Sequence, residues 1–459
     1  MQDLTTGSIT RHLLKTASFM LVTMIFQTLY FLVDLYWVGR LGKEAVAAVA
    51  IAGNLTFIVL AVSQMLGVGT TTLVSHAAGR KDQQDALLVF NQSQVLSLVV
   101  GAIFLALGLL LLGAYTSTLG ADARTIELAR EYLVWYIPAM ALQFVIATMS
   151  AALRGTGNFK PGMVVGTVTV ILNMIIAPFL VFGWGSGVPL GVAGAAISTL
   201  IAVIVGTVWL ATYFVKPSAY LHFLSAQWRP QIPLWSRMLK IGLPAGAEFA
   251  LMAVYLFIVY VISRPFGAAA QAGFGIGLRI MQSGFMPVVA LGFSVAPVAG
   301  QNVGARLPDR VRTTFFNAAG MAAAAMVVWG MACWAFAPQM VRVFSRDPQV
   351  IAVGAEYLEY MSWAFVGSGV VFVSSSMFQA LGNTLPSLAA SFGRIVLVAI
   401  PAVLLSRMPG FELRWIWYLS GASILFQMIT VLVLLRREFR VRFAPAGTLS
   451  PSSATVGTS

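Results

Sequence analysis

The side chains able to do chemistry are few, and their spacing excludes most of it. His12, His76 and His222 stand far apart, and Cys333 is the single cysteine. There is no HExxH, no cysteine pair, no glycine-rich phosphate loop and no pair of neighbouring acids inside an apolar segment. These absences argue against hydrolase, redox and ATPase chemistry, and no enzyme activity, metal or cofactor is expected. What remains is a carboxylate in an unlikely place. In "FLVDLYWVGRLG", residues 31–42, Asp34 is the only acid between Leu13 and Val38. A charge inside an apolar layer costs several kcal/mol unless it is paired or hydrated, so such a residue is a functional candidate by default.

The surroundings of Asp34 are those of a membrane protein. The chain of 459 residues is 59% apolar and 9% charged, with mean hydropathy +0.87. Soluble domains carry about 25% charge. Apolar runs of about 20 residues, the length that spans a bilayer as a helix, recur along the whole chain. The expected spans are 14–38, 46–76, 90–115, 131–152, 161–183, 191–214, 241–263, 268–300, 313–337, 353–380, 386–406 and 414–435. The polar N-terminus and long first apolar run speak against a cleavable leader. Of 28 Lys and Arg, 17 fall on the side of the N-terminus, nine on the other, and Arg279 and Arg394 within spans. That bias predicts both termini in the cytoplasm. It also accounts for the net charge of +13 without nucleic acid, since no basic stripe is interleaved with stacking aromatics.

The chain matches itself at an offset of 225 residues. Gly67 meets Gly292, Gly79 meets Gly304, Glu131-Tyr132-Leu133 meets Glu356-Tyr357-Leu358, and "GNFKP" at 157–161 meets "GNTLP" at 382–386. Six spans per copy is an even number, so both copies enter from the same side. The predicted fold is an all-α membrane protein, with twelve transmembrane helices in two six-helix lobes related by a parallel pseudo-two-fold repeat. The expected division is a first lobe over 1–215, a cytoplasmic linker over 216–237, a second lobe over 238–443 and a disordered tail over 444–459. The linker reads equally as a plain polar connection or an amphipathic surface helix.

Several stretches carry a family resemblance. "VDLYWVGRLGKEAVAAVAIA" resembles the first outer hairpin of multidrug and toxic compound extrusion (MATE) transporters. "ALRGTGNFKPGM" resembles the loop between their fourth and fifth helices, and "QALGNTLP" its second-half copy. "QAGFGIGLRIMQ" and "PVAGQNVGA" resemble their eighth helix. The resemblance covers about residues 10 to 440. It implies efflux of amphipathic, often cationic compounds in exchange for protons or sodium, with an acid on the first helix as the coupling residue. Asp34 falls there. Bacterial relatives add an Asn and an acid on helix five and a Thr on helix six. Asn173 and Thr199 match, but Ala177 stands where the acid would be. Another branch places an acid on helix seven, at the position of Met252; Glu248 lies one turn earlier.

The expected function is secondary active multidrug efflux by alternating access, coupled to protons through Asp34 with Asn173 and Thr199. At about 1.5 Å per residue, Asp34 lies roughly 6 Å inside the outer end of its helix. No other ionisable group between 14 and 214 lies well inside a span, so Asp34 is suited to loading and releasing a proton. Its alternative is a packing role, hydrogen-bonded to Tyr30 or Tyr36. Gln27, Tyr30, Tyr136 and Met140 are candidates for the substrate cleft, since methionine and aromatic side chains adapt to varied ligands. Glu248 either joins the cleft or forms an ion pair with Arg279 or Arg394. The expected partners are small amphipathic cations and membrane lipid, with the chain a monomer in a bacterial inner membrane. The rival transporters are a sodium-coupled drug antiporter and a lipid-linked oligosaccharide flippase. A scaffold or receptor needs neither the acid nor the duplicated cleft.

Overall fold

The computed structural model describes residues 1–120, 122–184 and 187–443; the expected tail 444–459 lies outside them. The first six helices are α1 (Ile9–Gly39), α2 (Lys43–Gly79), α3 (Gln83–Leu119), α4 (Ala123–Gly155), α5 (Lys160–Phe182) and α6 (Gly191–Thr212). The second set is α7 (Ile232–Ser263), α8 (Ala268–Gly304), α9 (Pro308–Arg342), α10 (Pro348–Ser362), α11 (Phe365–Leu381), α12 (Leu385–Leu405) and α13 (Arg414–Arg442). Eleven of these are long and apolar enough to cross a membrane, and the bent pair α10–α11 makes the twelfth span. Large apolar side chains such as Leu110, Phe257 and Val328 point outward, as lipid contact requires.

The twelfth span departs from the single helix expected over 353–380. It bends by 60° between Ser362 and Phe365. At the break α9 comes close, since a Cβ on Gly330 would meet the Ser362 carbonyl at 2.8 Å. The equivalent point in the first lobe is Pro138, inside α4, where a missing N–H weakens the helix in the same place.

The repeat is written in the backbone. Left-handed residues recur 225 positions apart: Gly42 with Gly267, Lys81 with Arg306, and Gly157 with Gly382. Lys81 and Arg306 are the two non-glycine residues with positive φ among the described residues. Each ends a long helix and turns it into the next.

The lobes are joined on the face that carries the N-terminal segment. There α2 crosses α8 at their last turns. A Cβ on Gly79 would lie 2.0 Å from the Gln301 carbonyl oxygen, and one on Gly304 would lie 2.1 Å from that of His76. Only glycine permits this approach. The side chains opposite repeat the symmetry. His76 Nε2 donates to the Ala380 carbonyl at 2.7 Å, and Gln301 Nε2 donates to that of Gly155 at 3.0 Å. Both pairs are related by the 225-residue offset.

The N-terminal segment is sewn across this joint. Gln2 N donates to the Thr156 carbonyl at 2.9 Å in the first lobe. Leu4 N donates to Gln301 Oε1 at 2.9 Å, and the Leu4 side chain is fully buried. Asn302 Nδ2 donates to the Leu4 carbonyl at 3.3 Å, and Arg310 Nη2 to that of Gly7 at 3.1 Å. The Thr5 hydroxyl and amide both donate to Asp3. They hold its carboxyl below the usual carboxylate range and keep it charged near Lys81 and Arg310.

Away from this face the lobes part. Contact between α2 and α7 extends as far as Gly246, whose Cβ would meet the Ala61 carbonyl at 2.7 Å. Beyond it, α1 has no buried residue from 17 to 37, and α7 none from 247 to 258. Among the described residues, every hydrogen bond between the lobes lies at the closed face. The molecule is a V, shut at one end and open at the other.

The connection between lobes runs over 213–231, and residues 232–237, expected in the linker, already belong to α7. It has one 3₁₀ turn, Ser225–Gln227, and no amphipathic helix. Two fully buried amides of α3 hold it. Asn91 Nδ2 donates to the His222 carbonyl at 3.1 Å, while Asn91 Oδ1 accepts from Leu224 N at 3.0 Å and Trp228 Nε1 at 3.2 Å. Gln92 Nε2 donates to the carbonyls of Gln227 at 2.6 Å and Arg229 at 2.8 Å. Gln92 Oε1 accepts from Gln231 N and Trp235 Nε1.

Each such bond contributes about 1 kcal/mol net, and more is lost when a buried partner is left unpaired. Gln92→Leu should therefore lower the thermal unfolding midpoint of the purified protein. An unchanged midpoint would show that the clasp is not stabilising. Gln301→Ala removes several bonds of the closed face. With spin labels at the exposed equivalent positions Gln84 and Asp309 in a Cys333→Ser background, it should lengthen the distance between labels. A distribution identical to the unsubstituted chain's would show that Gln301 does not hold the face shut.

Candidate functional site

Asp34 lies in the open half, near the end of α1, and its place is fixed by aromatic packing one turn on. Trp37 packs edge-on against Phe182 and Trp184, each with ring centroids at 5.9 Å, and Val38 is fully buried. Arg40 lies over the Tyr36 ring at 4.8 Å and donates to its hydroxyl at 2.6 Å. Tyr36 is thereby turned away from Asp34.

α5 and α6 provide the opposing wall. They close tightly because Gly194 lacks a side chain: a Cβ there would stand 2.6 Å from the Leu180 carbonyl. The approach brings Asn173 to Thr199, with Asn173 Nδ2 donating to Thr199 Oγ1 at 3.2 Å. The Thr199 hydroxyl gives its own proton to the Ala195 carbonyl at 3.1 Å. Tyr30, whose hydroxyl is 3.1 Å from Thr199 Oγ1, must then be the donor of that pair. The three residues form one network spanning α1, α5 and α6.

Asp34 is outside it. Its Oδ1 is sequestered from solvent with no hydrogen-bond partner, so the expected bond to Tyr30 or Tyr36 is not made. Tyr30 is occupied by Thr199 and Tyr36 by Arg40. Tyr132 and Tyr136 of α4 lie within electrostatic range of the carboxylate, as does Tyr30. The Tyr132 and Tyr136 rings stand 5.1 Å apart, and the Tyr136 hydroxyl meets Thr56 Oγ1 at 2.8 Å. The acid therefore has three tyrosines in its electrostatic surroundings.

The other sequence candidates are distributed around this centre. Gln27 is exposed two turns before Asp34, whereas Met140, at 8% exposure, packs within the first-lobe core. Ala177 is buried on α5, one turn after Asn173, and supplies no second acid. Among the described residues no three His, Cys, Asp or Glu converge as a metal site would require. Tyr132 and Thr56 escaped the sequence reading. The spacing of Tyr132 and Tyr136 by four residues was the available signal, since it puts both on one helix face.

Glu248 lies in the second lobe and has a different environment. Both its oxygens accept from Ser375 Oγ, at 3.2 and 3.0 Å, and Ser375 in turn meets Ser387. The expected ion pair with Arg279 or Arg394 is absent among the described residues. Arg394 lies over the Tyr255 ring at 5.0 Å, with its Nε near Ser423 Oγ, and Arg279 is exposed on α8. Hydroxyls replace the cation because Arg394 is held by the aromatic face of α7 instead.

Known proteins share this architecture. The family model MatE matches residues 20–179 and 244–404, once in each lobe. The chain is 25% identical over 378 residues to a protein of Shewanella oneidensis named FAD transporter, covering 81% of this chain and 82% of that one. It is 26% identical over 370 residues to the multidrug export protein MepA of Staphylococcus haemolyticus, covering 79% and 80%. A solved outward-facing conformation of a multidrug resistance MATE family transporter superimposes with TM-score 0.86 at 24% identity, over 96% of this chain and 98% of that one. A MOP superfamily transporter from Pyrococcus furiosus does so with TM-score 0.87 at 24% identity, with the same coverage. Two matched repeats around a cleft, with an unpartnered acid on the first helix, assign the chain: it is a multi-pass membrane transporter, not an enzyme, and belongs to the MATE family.

Proposed function

We propose that the protein exports amphipathic cations in exchange for protons, with Asp34 carrying the proton. The observation behind this reading is the Asp34 carboxylate, whose Oδ1 is withdrawn from solvent without a hydrogen bond while Tyr30, Tyr36 and Tyr136 are each bonded to another group. Such a carboxylate has two ways to relieve its desolvation: bind a cation or bind a proton. The two exclude each other at one site, which is what an antiporter requires. Tyrosine faces beside the acid add a quadrupolar attraction for organic cations.

The basic bias supports termini in the cytoplasm; on that reading the closed face is cytoplasmic and the open cleft faces outward. In this state external protons reach Asp34 and displace the substrate. The neutral site then favours closure of the outer half and opening of the inner one. The proton is lost inward, and the charged site is ready for a new cation. Tyr30, Thr199 and Asn173 tie α1 to α5 and α6 and couple the state of Asp34 to the packing of α1. Glu248, on the facing wall, offers a second acidic contact for the substrate. Bacterial relatives such as MepA support a bacterial inner membrane as the location. Sodium coupling has less support, because Ala177 leaves one carboxylate where a sodium ion needs several oxygen ligands.

The test is ethidium efflux from cells expressing the protein. Asp34→Asn should reduce efflux to background with normal expression, an uncoupler should abolish efflux by the unsubstituted chain, and replacing external sodium should leave it unchanged. Surviving transport in Asp34→Asn removes the residue from coupling, and dependence on sodium replaces the proton as the driving ion. Thr199→Val breaks the network but leaves the acid. It should keep the uncoupler sensitivity, lower the efflux rate and cost about 1–2 kcal/mol in stability; full loss of proton dependence would instead make Thr199 a direct proton partner.

A further inference from the structure

At the bottom of the V, just above the closed face, a small cavity lies between the lobes. It is lined by Gln64 and Thr71 of α2, Arg154 at the end of α4, Phe293 and Ala296 of α8, and Gln379 of α11. It straddles the pseudo-two-fold axis. Thr71 and Ala296 are 225 residues apart, and so are Arg154 and Gln379. At one pair of equivalent positions, then, a guanidinium from one lobe faces an amide from the other.

The Arg154 guanidinium is partly shielded from bulk water and has no carboxylate partner among the described residues. Its side chain donates no hydrogen bond there. Phe293 covers one side, with the guanidinium carbon 5.9 Å from the ring centroid. A cation shielded from water without a counter-charge is unfavourable, the more so the deeper it lies. The amides of Gln64 and Gln379 are likewise free of protein hydrogen bonds among the described residues, whereas Thr71 spends its proton on the Ala151 carbonyl at 3.0 Å. Gly67 leaves open the space beside Arg154, where a Cβ would lie 3.8 Å from Nη2. The cavity has room for about one water-sized body.

We propose that this cavity binds a monovalent anion of halide size, held by the guanidinium of Arg154 and the side-chain N–H groups of Gln64 and Gln379. The anion supplies the missing charge. Because Arg154 and Gln379 come from opposite lobes, the complete site exists only while the closed face is shut. Binding therefore stabilises that conformation in proportion to the logarithm of anion concentration. The proposal rests on the cavity and the joint between lobes, and stands or falls independently of proton coupling at Asp34.

The purified full chain, spin-labelled at Gln84 and Asp309 in a Cys333→Ser background, tests it. Sodium chloride is compared with sodium gluconate at equal ionic strength, and with sodium phosphate. Chloride should increase the short-distance population over gluconate, and phosphate, too large for the cavity, should not. Arg154→Gln should lose the chloride response. Gln379→Leu, which keeps the cation, should weaken it and provides the test if Arg154→Gln does not fold. Crystals grown in bromide should show an anomalous peak within hydrogen-bonding distance of Arg154. A chloride response equal in all variants, no response at all, or a cavity holding water alone overturns the proposal. A response to phosphate without one to chloride would assign the site to a phosphate group instead.

Discussion

The close crossing of α2 and α8 is the constraint on which the rest depends. Two glycines, Gly79 and Gly304, let each helix end meet the backbone of the other. Because the crossing lies on a pseudo-two-fold axis, each contact is made twice: His76 to Ala380, and Gln301 to Gly155. A joint this tight cannot deform gradually, since packed interiors have low compressibility. It is either made or broken. That all-or-none property lets two rigid lobes act as a two-state device, and it explains why the opposite half can open without loosening the fold.

Symmetry sets up the device, and departures from symmetry give it function. Lys81 and Arg306, Gly42 and Gly267, and Gly157 and Gly382 repeat faithfully because they build turns. The candidate site residues of the two lobes do not repeat. Asp34 has no acidic counterpart at 259, which is a buried valine, and Glu248 corresponds to Thr23. Arg154 faces Gln379 rather than a second arginine. Turn chemistry is demanded equally of both lobes, whereas each ionisable group inside the membrane adds a desolvation cost of its own.

Much of this was legible in the sequence. The spans, the duplication and Asp34 follow from hydropathy and from landmarks at one constant offset, and both are properties of local composition. Asn173 and Thr199 came from the resemblance, and the structure brings them together with Tyr30. What the sequence hid depends on which side chains meet across helices. Arg154 counts as a loop residue by position, yet it lines the cavity between the lobes. Asn91 and Gln92 read as unremarkable polar residues in an apolar helix, yet they clasp the linker. Glu248 read equally as a cleft residue or as the partner of Arg279 or Arg394; the packing turns Glu248 to Ser375 and Arg394 to Tyr255. The 60° break between α10 and α11 lacks a proline to announce it and follows from the approach of Gly330 to the Ser362 carbonyl.

The placement of Asp34 relative to the joint follows from the same physics. Near the joint the lobes exclude one another's solvent, so an ionisable group there gains or loses its surroundings each time the face opens. In the open half the lobes are apart, and Asp34 is sequestered within its own lobe, behind Trp37 and beside the tyrosines of α4. Its desolvation is therefore set by the packing of α1 against α5 and α6. In the proposed cycle a change in its charge acts first on α1, where no side chain from residue 17 to 37 is fully buried. The first buried residues of the same helix, Ile9 and Leu13, belong to the core of the second lobe. α1 thus runs from the acid at one end to the joint at the other, with the Tyr30–Thr199 bond tying it to α6 between them.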